Sequence, residues 1–123
     1  MASPLFSIVT ITYNAERELP VTLASVDSQT EKDYEHLIVD GASKDATVAI
    51  ACAADQERRR VVSEPDKGLY DAMNKGLRMA RGRYLIFLNA GDAFSSHEVL
   101  SRYAAGAASG ADIVYADTRL VDS

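Results

Sequence analysis

The chain has 123 residues, 13 Lys and Arg against 18 Asp and Glu, one cysteine and a net charge of −5 at pH 7. That length makes one domain, able to bury a core without a disulfide or a structural metal, which excludes a two-domain enzyme, and the composition is too apolar for a disordered chain. The acidic balance disfavours nucleic acid, which asks for a basic stripe, but allows a small anionic ligand held by backbone N–H groups, a cation or two, or a metal.

Phe6-Ser-Ile-Val-Thr-Ile-Thr12 is rich in β-branched residues with no helical period and reads as a buried strand. Leu19, Leu23 and Val26 then recur at helical spacing, with Pro20 in the first turn, which predicts an amphipathic helix ending near Gln29. Tyr34 to Val39 is a second strand, closed by Asp40-Gly41. Ser43 or Asp45 caps a helix through about Asp55, with Val48, Ala51 and Cys52 along one side, so Cys52 is expected to be a small buried apolar residue. The Arg58-Arg-Arg60 run leads into a short strand, Val61 to Ser63.

Leu69, Met73, Leu77 and Ala80 predict a further apolar helical stripe, ended by Gly82 at the C′ position. Tyr84-Leu-Ile-Phe-Leu88 is the most apolar strand and is expected at the centre of the sheet. Ser95 and Glu98 have capping-box spacing for a helix carrying Val99, Leu100, Tyr103 and Ala107, and Asp112 to Ala116 reads as a last strand. Strands alternating with helices imply right-handed crossovers and a mostly parallel α/β sheet with helices on both faces. No apolar run is long enough to span a bilayer, and Met1 to Leu5 lacks the basic region and apolar core of a signal peptide, so a cytoplasmic protein is expected.

In an open α/β sheet the ligand site lies beyond the carboxyl ends of the strands. Those ends carry Thr12-Tyr-Asn14, Asp40-Gly-Ala-Ser43, Glu64-Pro-Asp-Lys-Gly68 and Asn89-Ala-Gly-Asp92. Polar residues of these types also suit any turn, so each loop alone is ambiguous, while four together point to a site. Tyr13 either stacks on a base or is a half-buried tyrosine; Asp40 either accepts from a base or ribose or is a turn aspartate. Asp71, Asn74 and Lys75 stand beside the apolar stripe, with Lys67 nearby, as a phosphate-holding or merely solvated face. Asp92 either caps the following helix or, with the Asn89 amide, suits a hard cation that keeps waters and takes its other ligands from substrate phosphates. His36 and His97 have no Cys, His or carboxylate at ligand spacing. A receiver domain would need acidic residues after the first strand, and a dinucleotide-binding unit would need G-x-G-x-x-G there; the chain has neither.

In order, Ser7-Ile-Val-Thr-Ile-Thr-Tyr-Asn14, Gln29-Thr30, Val39-Asp-Gly-Ala-Ser-Lys-Asp-Ala-Thr47, Ser63-Glu-Pro-Asp-Lys-Gly-Leu-Tyr-Asp-Ala-Met-Asn-Lys-Gly76 and Ala80-Arg-Gly-Arg-Tyr-Leu-Ile-Phe-Leu-Asn-Ala-Gly-Asp92 resemble the family 2 glycosyltransferases. They look most like the bacterial branch that builds capsule, exopolysaccharide and lipopolysaccharide. The resemblance implies a Rossmann-like GT-A fold, a nucleotide-diphosphate-sugar donor (a UDP- or GDP-sugar), a divalent metal (Mn²⁺ or Mg²⁺), inversion at the anomeric carbon and a glycan or lipid-linked acceptor. It assigns Thr12, Tyr13 and Asp40, with the adjoining Asn14 and Gly41, to the nucleobase and ribose. Asp66, Lys67, Asp71, Asn74 and Asn89 fall to the donor pocket and Asp92 to the metal.

Two departures from the family pattern stand out: Gly41 stands where many members carry a second Asp, and Asn89 and Gly91 stand at usual acidic positions of the metal motif. The acceptor-binding half of such enzymes, with its Asp or Glu general base, follows the region matched here. Residues 1–123 are therefore expected to be a single donor-binding domain that stops short of that half and holds no catalytic base. The longer enzyme is expected at the inner face of the membrane. An unpaired sheet edge or apolar face at the C-terminal end would favour self-association.

Overall fold

The computed structural model describes residues 3–53 and 57–107. Four strands, β1 (Phe6–Thr12), β2 (Tyr34–Asp40), β3 (Arg59–Ser63) and β4 (Tyr84–Phe87), alternate with α1 (Leu19–Asp27), α2 (Thr47–Ala53), α3 (Leu69–Met79) and α4 (Val99–Ala107). All strand pairs are parallel, in the order β3-β2-β1-β4. The chain moves outward from β1 through β2 to β3 and then returns to the other side of β1. The strand order thus reverses between β1 and β4, and the carboxyl ends of those two strands flank the crevice where open α/β sheets bind ligands.

Successive strand residues point to opposite faces. On one face Phe6, Ile8, Tyr84, Ile86 and Leu88 pack with Val26 of α1 and with Val99 and Leu100 of α4, while Leu19 and Leu23 meet Ile38 and Ala51 of α2. On the other face Val9, Leu37, Val39 and Leu85 pack with Ala72 of α3. The expected parallel sheet with helices on both faces is present.

Several local expectations need correction. The buried face of α3 is Ala72 and Gly76, not the Leu69/Met73/Leu77 stripe, and Leu69 and Leu77 are 58% and 50% exposed. Small residues win that face because the helix lies against β1: a Cβ on Gly76 would stand 2.6 Å from Val9 Cγ1. Gly82 is not the helix stop, since Ala80 closes α3; the loop at Gly82 runs directly against the backbone of Phe6 and Ser7. Cys52 is exposed, because Thr47 and Ala51, one turn apart, take the buried side of the shorter α2.

β3 begins at Arg59, so part of the arginine run lies inside the sheet, and Arg59 is buried. Arg60 instead reaches Glu35 on the opposite face (2.8 Å), where Glu35 also accepts from Ser7 Oγ and the Arg81 N–H, both at 2.6 Å. β4 ends the described order rather than sitting between two strands, although Ile86 and Leu88 are fully buried by α1 and α4. At α4, Ser96 Oγ accepts from the Glu98 N–H at 3.2 Å. Asp55 and the predicted strand from Asp112 to Ala116 lie outside the described residues.

Candidate functional site

All four polar loops meet at the carboxyl edge of the sheet. Thr12 and Asp40 end β1 and β2 as direct register partners. The Asp40 carboxylate is 1% exposed and accepts four hydrogen bonds: Thr12 Oγ1 (2.7 Å) and Ser43 Oγ (2.5 Å) on Oδ1, and the Ser43 N–H and Ser63 Oγ (both 2.8 Å) on Oδ2. Burial is the largest influence on this group and pushes its pKa up, but the bonds from Ser43, Thr12 and Ser63 together outweigh it and hold the carboxyl below its ordinary range. With both oxygens occupied, Asp40 ties the ends of three strands together rather than presenting a free acceptor.

Asn14 has a similar positioning role. Its backbone is left-handed (φ 48°), its N–H donates to Ser43 Oγ at 2.7 Å, and its Oδ1 accepts from the Lys44 N–H at 2.9 Å. These bonds lock the β1 loop to the β2 loop and leave the Tyr13 ring between them, 61% exposed. A half-buried tyrosine is thereby excluded, and the ring face is open for stacking.

Gly41 lies beside that ring. A Cβ there would stand 2.8 Å from Asp66 Oδ2 and 3.5 Å from Tyr13 Cδ1, so the bare glycine leaves room for the Asp66 carboxylate on the Tyr13 side of the edge. Asp66 Oδ1 accepts from the Gly68 N–H at 3.2 Å. Asp71 and Lys75 brace the β3–α3 loop: Asp71 accepts from the Lys67 N–H at 2.9 Å, and Lys75 Nζ donates to the Pro65 carbonyl at 3.0 Å and pairs with Glu64 at 3.3 Å. Asn74 and Lys67 are exposed on the α3 side of the edge.

Across β1, the Asn89–Asp92 loop hangs on one buried hydroxyl of α1. Thr22 Oγ1 donates to the Asp92 carbonyl at 2.7 Å and accepts from the Gly91 N–H at 2.9 Å. Gln29 does the same for the following segment, donating to the Ser96 carbonyl at 2.7 Å and accepting from the Leu100 N–H at 3.1 Å. An open cleft of about 350 Å³ lies between this loop and Tyr13, lined by Ile11, Tyr13, Asn14, Glu18, Leu69 and Asn89 among others. A wider groove of about 420 Å³ between α1 and residues 93–97 has no Asp, Glu, Lys or Arg in its lining, so it offers less to a charged ligand.

The structure thus brings Tyr13, Asn14 and Asn89 into one cleft, with Gly41 and Asp66 at its Tyr13 side. It withdraws Asp40, Asp71 and Lys75 into support. Glu18 escaped the sequence reading: it lines the cleft, and its Cβ lies 3.5 Å from where a Cβ on Gly91 would stand. Leu69 was hidden by its helical spacing, which suggested core. Among the described residues no three His, Cys, Asp or Glu side chains gather as a metal cage. One carboxylate at Asp92 and one amide at Asn89 fit a hard divalent cation only when substrate oxygens and water complete its shell.

This architecture is the GT-A fold. S. aureus TarS (residues 1–349) in complex with UDP-GlcNAc superposes with a TM-score of 0.79 at 26% identity, over 85% of this chain and 31% of that one. A Pyrobaculum calidifontis mannosyltransferase in complex with GDP-Man and Mn²⁺ gives a TM-score of 0.76 at 23% identity, over 87% and 33%. Residues 7–123 match Glycosyl transferase family 2, and the chain belongs to that family. A PGL/p-HBAD biosynthesis glycosyltransferase of Mycobacterium bovis is 41% identical over 122 residues, covering 95% of this chain and 48% of the relative. The chain spans about half the length of the curated relatives it matches.

Proposed function

We propose that this chain is the donor-binding part of an inverting glycosyltransferase that uses a UDP- or GDP-sugar. The observation that carries the reading is the pairing, across the β1/β4 crevice, of an exposed Tyr13 ring backed by Asp66 with the Thr22-anchored Asn89–Asp92 loop. The TarS complex with UDP-GlcNAc, at 26% identity, supports a nucleotide sugar as the ligand. In this reading the base stacks on Tyr13 with Asp66 accepting a base N–H, which uracil and guanine both offer. Asp40, Asn14 and Lys75 hold those loops in place. Asn89 and Asp92 face the diphosphate, and Glu18 borders it.

A divalent cation held by Asp92 would neutralise charge developing on the departing diphosphate. Inversion asks an acceptor hydroxyl to attack the anomeric carbon from the side opposite the diphosphate and to give its proton to a base. None of the described residues is assigned that role, and acceptor positioning and the base are proposed to belong to the other half of the longer enzyme. General-base assistance is worth ~10²–10⁴-fold, so residues 1–123 alone are expected to transfer little. The acceptor is proposed to be a glycan or a lipid-linked sugar of the cell envelope, met at the cytoplasmic membrane face. No described helix is itself long and apolar enough to cross a membrane.

Copies of this chain are proposed to associate through an apolar face or unpaired sheet edge toward the C-terminal end, which sedimentation tests, a monomer contradicting it. A second reading, a non-catalytic donor-binding domain, is favoured by one feature: Asp92 is the sole carboxylate of the metal loop. The two separate in a longer protein containing this chain and the segment that follows it, assayed with a panel of UDP- and GDP-sugars. Transfer or donor hydrolysis supports the enzyme, and binding without turnover supports the second reading.

A further inference from the structure

At the amino end of the sheet, away from the donor cleft, a pocket of about 100 Å³ is lined by Asp27, Lys32, Tyr34, His36, Arg58 and Arg59. His36 and Arg59 are register partners on β2 and β3, so their side chains project from the same face. His36 and Asp40 are four residue steps apart along β2, about 13 Å at the rise of an extended chain. The Arg59 side chain is 2% exposed and pairs with Asp27 through Nη2 at 2.6 Å. Its Nε and Nη1, and His36 Nδ1, are buried and have no hydrogen-bond partner among the described residues. His36 Nε2 is 2.8 Å from Thr10 Oγ1. The Thr10 hydroxyl can donate there, which leaves the ring proton on Nδ1 and makes all three partnerless atoms donors.

Lys32 and Arg58 complete the rim. Lys32 Nζ donates to the Asp27 carbonyl at 2.7 Å, Arg58 Nε donates to the Lys32 carbonyl at 3.0 Å, and the Arg58 guanidinium lies 5.7 Å from the Tyr34 ring centroid. Three cations face one carboxylate. Buried donors of an arginine are costly to leave unpaired, and an arginine fork matches the oxygens of a carboxylate or phosphate. The volume is about three times the ~30 Å³ share of one water molecule, enough for a small tetrahedral or planar oxyanion.

We propose that this pocket is an oxyanion site, separate from the donor cleft, in which Arg59 and His36 donate to the oxygens of a phosphate or carboxylate and Lys32 and Arg58 close the rim. A bound anion would fasten α1, β2 and β3 together at the edge opposite the chemistry. The inference stands independently of the donor assignment.

Inorganic phosphate is the first probe and acetate the second, each titrated against sodium chloride at equal ionic strength, with the melting temperature and the ¹⁵N resonances of the His36 ring followed. The expected result is a saturable rise in melting temperature with phosphate or acetate but not chloride, a shift of the His36 Nδ1 resonance, and persistence of both in saturating UDP. A response to phosphate alone marks a phosphoryl ligand, and a response to acetate alone marks a carboxylate. The exposed-rim variant Lys32→Ala, which keeps the buried pair, is expected to need several-fold more anion for half the effect. Arg59→Gln is expected to abolish it, with circular dichroism checking the fold. Identical responses to chloride and to both oxyanions, or a phosphate effect that UDP removes and Lys32→Ala leaves untouched, would overturn the proposal.

Discussion

The Oδ2 atom of Asp66 lies 2.8 Å from the position that a Cβ on Gly41 would take. Gly41 stands where many family 2 members carry a second aspartate, and here a carboxylate from the next loop occupies that neighbourhood instead. Gly41→Ala is expected to push Asp66 away from the Tyr13 ring. Hydrogen bonds to charged groups are worth ~1.5–3 kcal/mol, so UDP or GDP affinity should fall about tenfold or more by calorimetry while the melting temperature changes little. Unchanged affinity would remove Asp66 from base recognition.

Tyr13 is held open to solvent by its neighbours' hydrogen bonds, so Tyr13→Ala tests stacking with little cost to the fold. Base–aromatic stacking is worth ~1–3 kcal/mol, which predicts nucleotide binding weaker by roughly 5- to 150-fold. Tyr13→Phe should retain most of the affinity, because the ring face carries the contact.

Thr22 Oγ1 donates to the Asp92 carbonyl and accepts from the Gly91 N–H of the Asn89–Asp92 loop. Thr22→Val keeps the shape and removes both, and each buried polar group left unpaired costs ~1–3 kcal/mol. The chain should unfold at lower urea, and any Mn²⁺-dependent gain in nucleotide affinity should shrink, because the loop bearing Asp92 loses its register. A loss of stability with the Mn²⁺ effect intact would separate the anchor from the metal loop.

Stability should decline as pH falls from neutrality. Burial, with the Arg59 guanidinium beside it, pulls the His36 pKa down to about 3 from an ordinary 6.5. Between those values the unfolded chain binds more protons than the folded one, so stability falls with falling pH by up to about 1.4 kcal/mol per unit. Asp40 and Glu35 act in the same direction at lower pH. Burial raises both, but hydrogen bonds from Ser43, Thr12 and Ser63 on Asp40, and from Ser7, Arg81 and Arg60 on Glu35, hold both below their ordinary values. Their contribution is complete above the ordinary carboxyl pKa and is lost as pH falls through the folded values. Urea midpoints in phosphate-free buffer should drop between pH 6.5 and 4.5, and His36→Gln should flatten that part of the curve. A flat wild-type profile would contradict the buried neutral histidine.

The order and type of the described elements were legible in the sequence because each strand is a β-branched or apolar run and each loop carries its turn residues. What failed was the side that an element presents. The helical spacing of Leu69, Met73 and Leu77 reads as the buried stripe of α3, yet the sheet takes Ala72 and Gly76 because a close helix needs small residues, and Leu69 is left to line the cleft. The Arg58–Arg60 run reads as a lead-in to the third strand, but β3 starts at Arg59, whose register with His36 brings it into the sheet, where Asp27 meets it. At the site, the motif residues were legible as a set but not by role. Asp40 is open in sequence between a ligand contact and a turn aspartate; in the structure its carboxylate accepts four hydrogen bonds, while Asn14 both lines the cleft and ties the β1 loop to the β2 loop. Gln29 was legible as part of a family motif but not by its work, and Thr22 not at all, since each holds a distant loop by its backbone.

Nucleotide binding at the β1/β4 crevice with Asp92 as the metal ligand is tested most directly by calorimetric titration of this chain with UDP and with GDP, with and without Mn²⁺, beside Asp92→Ala. At least one nucleotide is predicted to bind, more tightly with Mn²⁺, and Asp92→Ala should lose the Mn²⁺-dependent part while keeping the rest. No binding of either nucleotide under any condition, or a Mn²⁺ effect identical in Asp92→Ala, would contradict the account.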